Sequence, residues 1–126
     1  MVKLLIGKKL GMSQIFDAAG VVTPVTVLEV GPCTVVQLKS EETDGYRAAQ
    51  IGFELQKPQR VKKPQVGHYK KAGTGTFRML REAPLADDSQ LSVGDQVAVA
   101  DVFTEGAYVD VIGTTKGRGF QGTVKR

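Results

Sequence analysis

Tryptophan is absent, and cysteine and histidine occur once each, as Cys33 and His68. A single cysteine excludes an intramolecular disulfide, and nothing in the chain asks for an oxidising compartment. One histidine and one cysteine cannot build an ordinary zinc site without carboxylates at unfavourable spacing. No G-x-x-x-x-G-K-[ST] phosphate loop occurs. Long apolar runs are missing too. The stretch 4–6 is too short for a signal peptide, and no segment approaches the length of a membrane helix. The expectation is a cytoplasmic protein with no membrane segment, no metal and no cofactor.

Acidic residues are missing from one long block. Residues 57–81 carry eight cations (Lys57, Arg60, Lys62, Lys63, Lys70, Lys71, Arg78 and Arg81) and no carboxylate. Residues 82–110 reverse this, with seven acidic side chains and no basic one. Residues 111–126 add Lys116, Arg118, Lys125 and Arg126, again unopposed. The net charge of +4 is a weak hint of an acidic partner, but two basic blocks rich in Gly or Pro tilt the reading towards phosphate binding. Solvated loops that happen to cluster charge are the alternative.

What is present is mostly β pattern. Segments 2–6, 12–16, 21–30, 34–38, 46–53, 76–82, 96–100 and 107–112 are rich in Val, Ile and Phe, often on alternate positions, and are separated by Gly, Pro and Asp turn signals. At 126 residues the chain fits one domain, so a single β sandwich or barrel over 1–126 is expected. Residues 57–75 interrupt the rhythm as an insertion. Pro58 and Pro64 forbid one long helix across it, while a short helix after Pro64 stays open.

The segment VDVIGTTKGRGFQGTVKR closes the chain. Gly113, Gly117, Gly119 and Gly122 allow backbone N–H groups to approach an oxyanion, and Lys116 and Arg118 add charge within the loop 113–122. Phe120 has two readings, stacking on a base or packing in a core, and the core is favoured. The stretch 117–122 matches G-x-G-x-x-G literally, but a dinucleotide site needs a strand, a tight turn and a helix around it, with an acidic residue about 20 positions on. The match has little weight. His68 lies in GHYKKAG, where a phosphate or sugar contact suits it better than general-base work. Asp87 and Asp88 suit a turn better than an acid/base pair. Cys33 reads as a small apolar strand residue.

These residues resemble the bacterial form of the ribosomal protein L3 family. GKKLGMSQIF at 7–16, TPVTVLEVGPC at 23–33, DGYRAAQIGF at 44–53 and GHYKKAG at 67–73 are similar to successive blocks of that family. Its spaced signature is met in turn by Phe103, Asp110, Gly113, Thr115, Gly117, Arg118, Gly119, Gly122 and Arg126. The resemblance implies a β-barrel of the translation-factor and reductase type with an irregular or short-helical basic insertion. It also implies binding to large-subunit ribosomal RNA early in assembly, beside neighbouring large-subunit proteins. Lys8, Lys9, Lys62, Lys63, His68, Lys70, Lys71, Lys116, Arg118, Lys125 and Arg126 become the expected RNA contacts, with Gly113, Gly117, Gly119 and Gly122 as points of backbone approach to phosphate.

Family members continue past the position where this chain stops, with a basic extension and further strands, so a fragment or an engineered chain is expected. The missing Trp agrees, because the family's extension carries one. An incomplete barrel leaves open edges that invite pairing with a second copy. An enzyme domain holding a phosphate-bearing cofactor through 113–122, and an interaction module using the acidic 82–110 region, are the competing classes.

Overall fold

The computed structural model describes residues 2–85 and 90–125. Arg126, Asp87 and Asp88 lie outside the described residues. The fold is mostly β, in two antiparallel sheets. Strands β1 (Gly7–Phe16) and β2 (Val22–Val30) form a long hairpin. The second sheet has the order β5 (Phe77–Pro84), β4 (Ala48–Leu55), β3 (Cys33–Lys39), β6 (Gln96–Val97). Helix α1 is a single turn, Glu41–Asp44, between β3 and β4. A 3-10 turn, Pro58–Arg60, and helix α2, Lys63–Ala72, join β4 to β5. A last short helix, α3 (Val99–Val102), follows β6.

The four-stranded sheet is apolar on both faces because its strands alternate between two sets of side chains. Cys33, Val35, Ala49, Ile51, Phe53, Ala83 and Val97 form one cluster with Val2. Val36 comes from the opposite side of β3, which is irregular between Val35 and Gln37, and joins Tyr69 of α2 and Phe77 in a second cluster. Gly52 is required beneath that cluster: a Cβ there would lie 2.5 Å from Cδ2 of the Phe77 ring. The hairpin has no such cover. Leu10, Met12, Ile15, Phe16 and Val22 are exposed along it.

Helix α2 fits the expectation left open after Pro64. Proline lies in its first turn, where a missing N–H costs nothing, and Gly73 ends it with φ 67°. The described residues form two antiparallel sheets and no closed barrel. Three expectations are corrected. Residues 2–6 are not a strand: only Val2 bridges to Leu85, while Leu4, Leu5 and Ile6 lie against the main cluster. Pairing over 96–100 stops after Val97, because the Asp101 carboxylate accepts the Ala98 N–H at 2.8 Å and turns the chain into α3. Residues 107–112 are irregular and exposed, with Ile112 at 90% accessibility. Alternating Val residues express strand preference only where a sheet surface receives them, and none lies beside this segment among the described residues.

Candidate nucleic-acid interface

The basic block 57–81 is organised around α2. Ten residues containing Gly67 and Pro64 make a marginal helix, so tertiary anchoring has to hold it. Tyr69 supplies the anchor. It is 2% exposed, packs edge-on against Phe77 at 5.9 Å between ring centroids, and donates its hydroxyl proton to the Phe77 carbonyl at 3.0 Å. Burial pushes the phenol pKa up, outweighing the lowering effect of that hydrogen bond, so the hydroxyl remains a donor. With Tyr69 turned to the sheet, Lys62, Lys63, Lys70 and Lys71 are exposed, and none forms an ion pair among the described residues. A cavity of about 480 Å³ opens between the 3-10 turn and α2, lined by Pro58, Val61, Val66 and Gly67 together with Lys63 and Lys70.

His68 is placed differently from the four lysines. Its Nε2 lies 2.6 Å from Oε1 of Gln50 on β4, and the ring is half-buried. Since an amide oxygen only accepts, Nε2 carries the proton in this contact. Histidine here ties α2 to the sheet beside Tyr69.

Lys8 and Lys9 open the hairpin. Lys9 is exposed, whereas Lys8 lies 3.5 Å from Glu54, which also takes Arg78 at 3.1 Å. Desolvation raises the Glu54 pKa, but Arg78 and Lys8 together outweigh it and hold the carboxyl below its ordinary value. Glu54 has φ 60°, a strained backbone for a non-glycine, at the point where its side chain reaches both cations.

The second basic region is the C-terminal loop. Gly113, Lys116 and Gly117 are exposed in irregular chain. Arg118, Gly122 and Lys125 line one cleft of about 230 Å³ with Phe120 and Gln121. Gly119 has φ 71°, which explains glycine at that step of the loop. Phe120 is 93% exposed, so it is not a core residue. A short 3-10 turn, Thr123–Lys125, follows the glycines, and the preceding element is α3 rather than a strand. The strand–turn–helix that a dinucleotide fingerprint requires is not formed by the described residues.

Sequence reasoning missed a third arrangement. Lys39, Tyr46 and Glu82 meet across β3, β4 and β5. Lys39 donates to the Tyr46 hydroxyl at 2.8 Å and lies 3.2 Å from Glu82, and Tyr46 donates to Glu82 at 2.7 Å. The Tyr46 hydrogen bond, followed by that from Lys39, lowers the Glu82 pKa, while Tyr46 and then Glu82 raise that of Lys39. These are mutually satisfied groups at the sheet surface. Among the described residues no group of three His, Cys, Asp or Glu is placed to hold a metal ion, and no helix is long and apolar enough to cross a membrane.

Fold and surface together define a class: a mostly β protein that presents two separate sets of exposed cations on a short helix and a glycine-rich loop. The ribosomal protein L3 family profile matches residues 57–126, the part that carries both sets. The chain belongs to the ribosomal protein L3 family. It is 50% identical over 126 residues to the large ribosomal subunit protein uL3 of Syntrophotalea carbinolica, covering 100% of this chain and 60% of that protein. The uL3 of Syntrophobacter fumaroxidans is 52% identical over the same span, with 60% covered, and that of Desulforudis audaxviator 52% identical, with 59% covered. The chain therefore spans about 60% of the length of these relatives.

Proposed function

We propose that this chain is a structural constituent of the large ribosomal subunit, binds large-subunit ribosomal RNA and supports early subunit assembly. It acts in the cytoplasmic ribosome beside neighbouring large-subunit proteins and catalyses no reaction. The observation that carries this reading is the coincidence of the family match with the two unopposed basic surfaces, both inside 57–126. The mechanism is electrostatic and geometric. Lysines on α2 and the cations at 116–125 contact phosphates, and the sheet beneath α2 fixes where the α2 charges sit. Lys8 and Lys9 extend the contact along the hairpin, and Gly113, Gly117, Gly119 and Gly122 admit phosphate close to the backbone. Shape, phosphate and 2′-hydroxyl recognition suit such a surface better than reading a helix sequence.

We further infer that the two sheets belong to one domain and one barrel of the translation-factor and reductase type, whose closing strands lie in the remaining length of the relatives. The apolar side chains exposed along the hairpin favour this. The same residues favour a second reading for this chain by itself, self-association through its uncovered strands.

The test is equilibrium binding to a large-subunit ribosomal RNA fragment against a scrambled RNA across a salt series. With Lys62, Lys63, Lys70, Lys71, Lys116, Arg118 and Lys125 engaged, affinity falls on the order of a thousandfold between ~50 and ~200 mM salt. The scrambled RNA competes poorly. Equal affinity for both RNAs refutes specific recognition. Sedimentation across micromolar concentrations tests self-association, and a strictly monomeric species refutes it.

A further inference from the structure

Gly67 stands at the centre of α2, yet nothing inside the protein explains it. A glycine in a helix interior is less stable than alanine because its unfolded backbone is freer. Such glycines are kept for a left-handed backbone or for close internal packing. Neither applies: Gly67 does not have the positive φ found at Gly73, and a Cβ built on it meets nothing within 4 Å. The first turn of α2 runs against stability as well. Lys62 and Lys63 stand at the positive end of the helix dipole, no acidic residue occupies that turn, and no side chain caps it. Three local choices weaken this short helix, and each makes sense if an anionic chain lies across it.

Lys63, Gly67 and Lys70 follow the i, i+4, i+7 spacing of one helix face and line the same cavity with Pro58, Val61 and Val66. The two lysines are separated along the axis by about 10 Å, which leaves room for a nucleotide between two phosphate contacts. Between them is a surface of bare helix backbone and mostly apolar side chains, with Gln59 as the one other polar group, suited to the C–H face and hydroxyl of a ribose.

We propose that one strand of RNA sugar–phosphate backbone crosses α2 at Gly67, with its ribose seated in the cleft beside Val61 and Val66 and its flanking phosphates held by Lys63 and Lys70. This rests on the RNA-binding reading and specifies where on α2 the closest approach occurs. Gly67 is kept because a methyl group there would lift the backbone off the helix.

The experiment compares the unaltered chain with Gly67→Ala, the Lys63→Gln/Lys70→Gln pair, and Gln65→Ala as a control on the same helix. Each is assayed for its urea unfolding midpoint and for binding to the ribosomal RNA fragment across a salt series. Gly67→Ala raises the unfolding midpoint yet weakens RNA binding roughly tenfold, because the added methyl group pushes the ribose from the cleft, and leaves the salt slope unchanged because both lysines keep their phosphates. Lys63→Gln/Lys70→Gln weakens binding and reduces the salt slope by about two. Gln65→Ala changes neither affinity nor slope. Gly67→Ala binding with unaltered affinity overturns the proposal, and so does a lowered midpoint, which would show that the glycine serves the fold. Polyglutamate competing as well as the RNA assigns the cleft to acidic polypeptide and overturns it too. If the unaltered chain does not distinguish ribosomal from scrambled RNA, the RNA-binding reading itself has failed. If it does, and the variants match it, only the crossing at Gly67 is lost.

Discussion

Tyr69→Ala should uncouple α2 from the sheet. Tyr69 is the one buried residue on the helix, and the half-buried His68 with its Gln50 contact and the small Ala72 are what remain of α2 against the sheet without it. Truncating a buried aromatic to alanine costs about 3–5 kcal/mol, of which the edge-on contact with Phe77 is expected to account for about 1 kcal/mol. Against the roughly 5–15 kcal/mol that holds a domain folded, this is a large loss. With an m-value of about 2 kcal/mol per molar urea, the unfolding midpoint falls by about 1.5–2.5 M. Tyr69→Phe keeps the ring and loses only the hydroxyl. The Phe77 carbonyl still accepts from Gln56 Nε2 at 3.3 Å, so that variant should lose about 1 kcal/mol. Urea titrations followed by circular dichroism give both numbers. RNA affinity separates the roles: Tyr69→Phe retains it, because the lysines stay in place. A Tyr69→Ala midpoint within about 0.5 M of the unaltered chain refutes the anchoring argument, since about 1 kcal/mol is too little for a helix held by that side chain.

Gly52→Ala puts a methyl group into the Phe77 ring and should destabilise the chain by about 1–3 kcal/mol, read as a lowered urea midpoint at unchanged m-value. Glu82 has a depressed folded pKa, so its contribution is present above the ordinary value of 4.5 and is lost as pH falls through the lower folded value. Glu82→Gln should therefore be less stable near neutrality and lose less on acidification, and parallel midpoint-against-pH curves for the two chains would contradict this. Burial raises the Cys33 thiol pKa, and the thiol donates to the Ile6 carbonyl at 3.7 Å. Cys33 should resist a thiol-specific disulfide reagent at pH 8 in the folded chain and react promptly in urea; fast labelling without urea would show that the core around residues 2–6 opens.

Which features were legible in the sequence depends on how much each owed to distant neighbours. Residues 21–30 and 34–38 were read as strands almost to their observed bounds, because alternating β-branched side chains state their own burial. The start of α2 was legible because Pro64 is compatible with a first helical turn. Residues 107–112 carry the same alternation as the true strands and remain irregular, since no strand among the described residues pairs with them. Local pattern states what a segment prefers, and the presence of a partner decides whether it gets it.

The site divides along the same line. The lysines of α2 were recognisable as exposed because a run of cations without carboxylates has nothing nearby to pair with. Lys8 looks alike in sequence, but its partner Glu54 is 46 residues away, on β4 of the other sheet. His68 looks like its lysine neighbours in sequence, but its Nε2 is held by Gln50 from a strand 18 residues away. Composition cannot separate a free cation from a neutralised one when the neutralising group comes from another element. Gly67 is the converse case. In GHYKKAG it passes as one more flexible glycine, and only the empty space around it in a formed helix turns it into a question about what lies outside the protein.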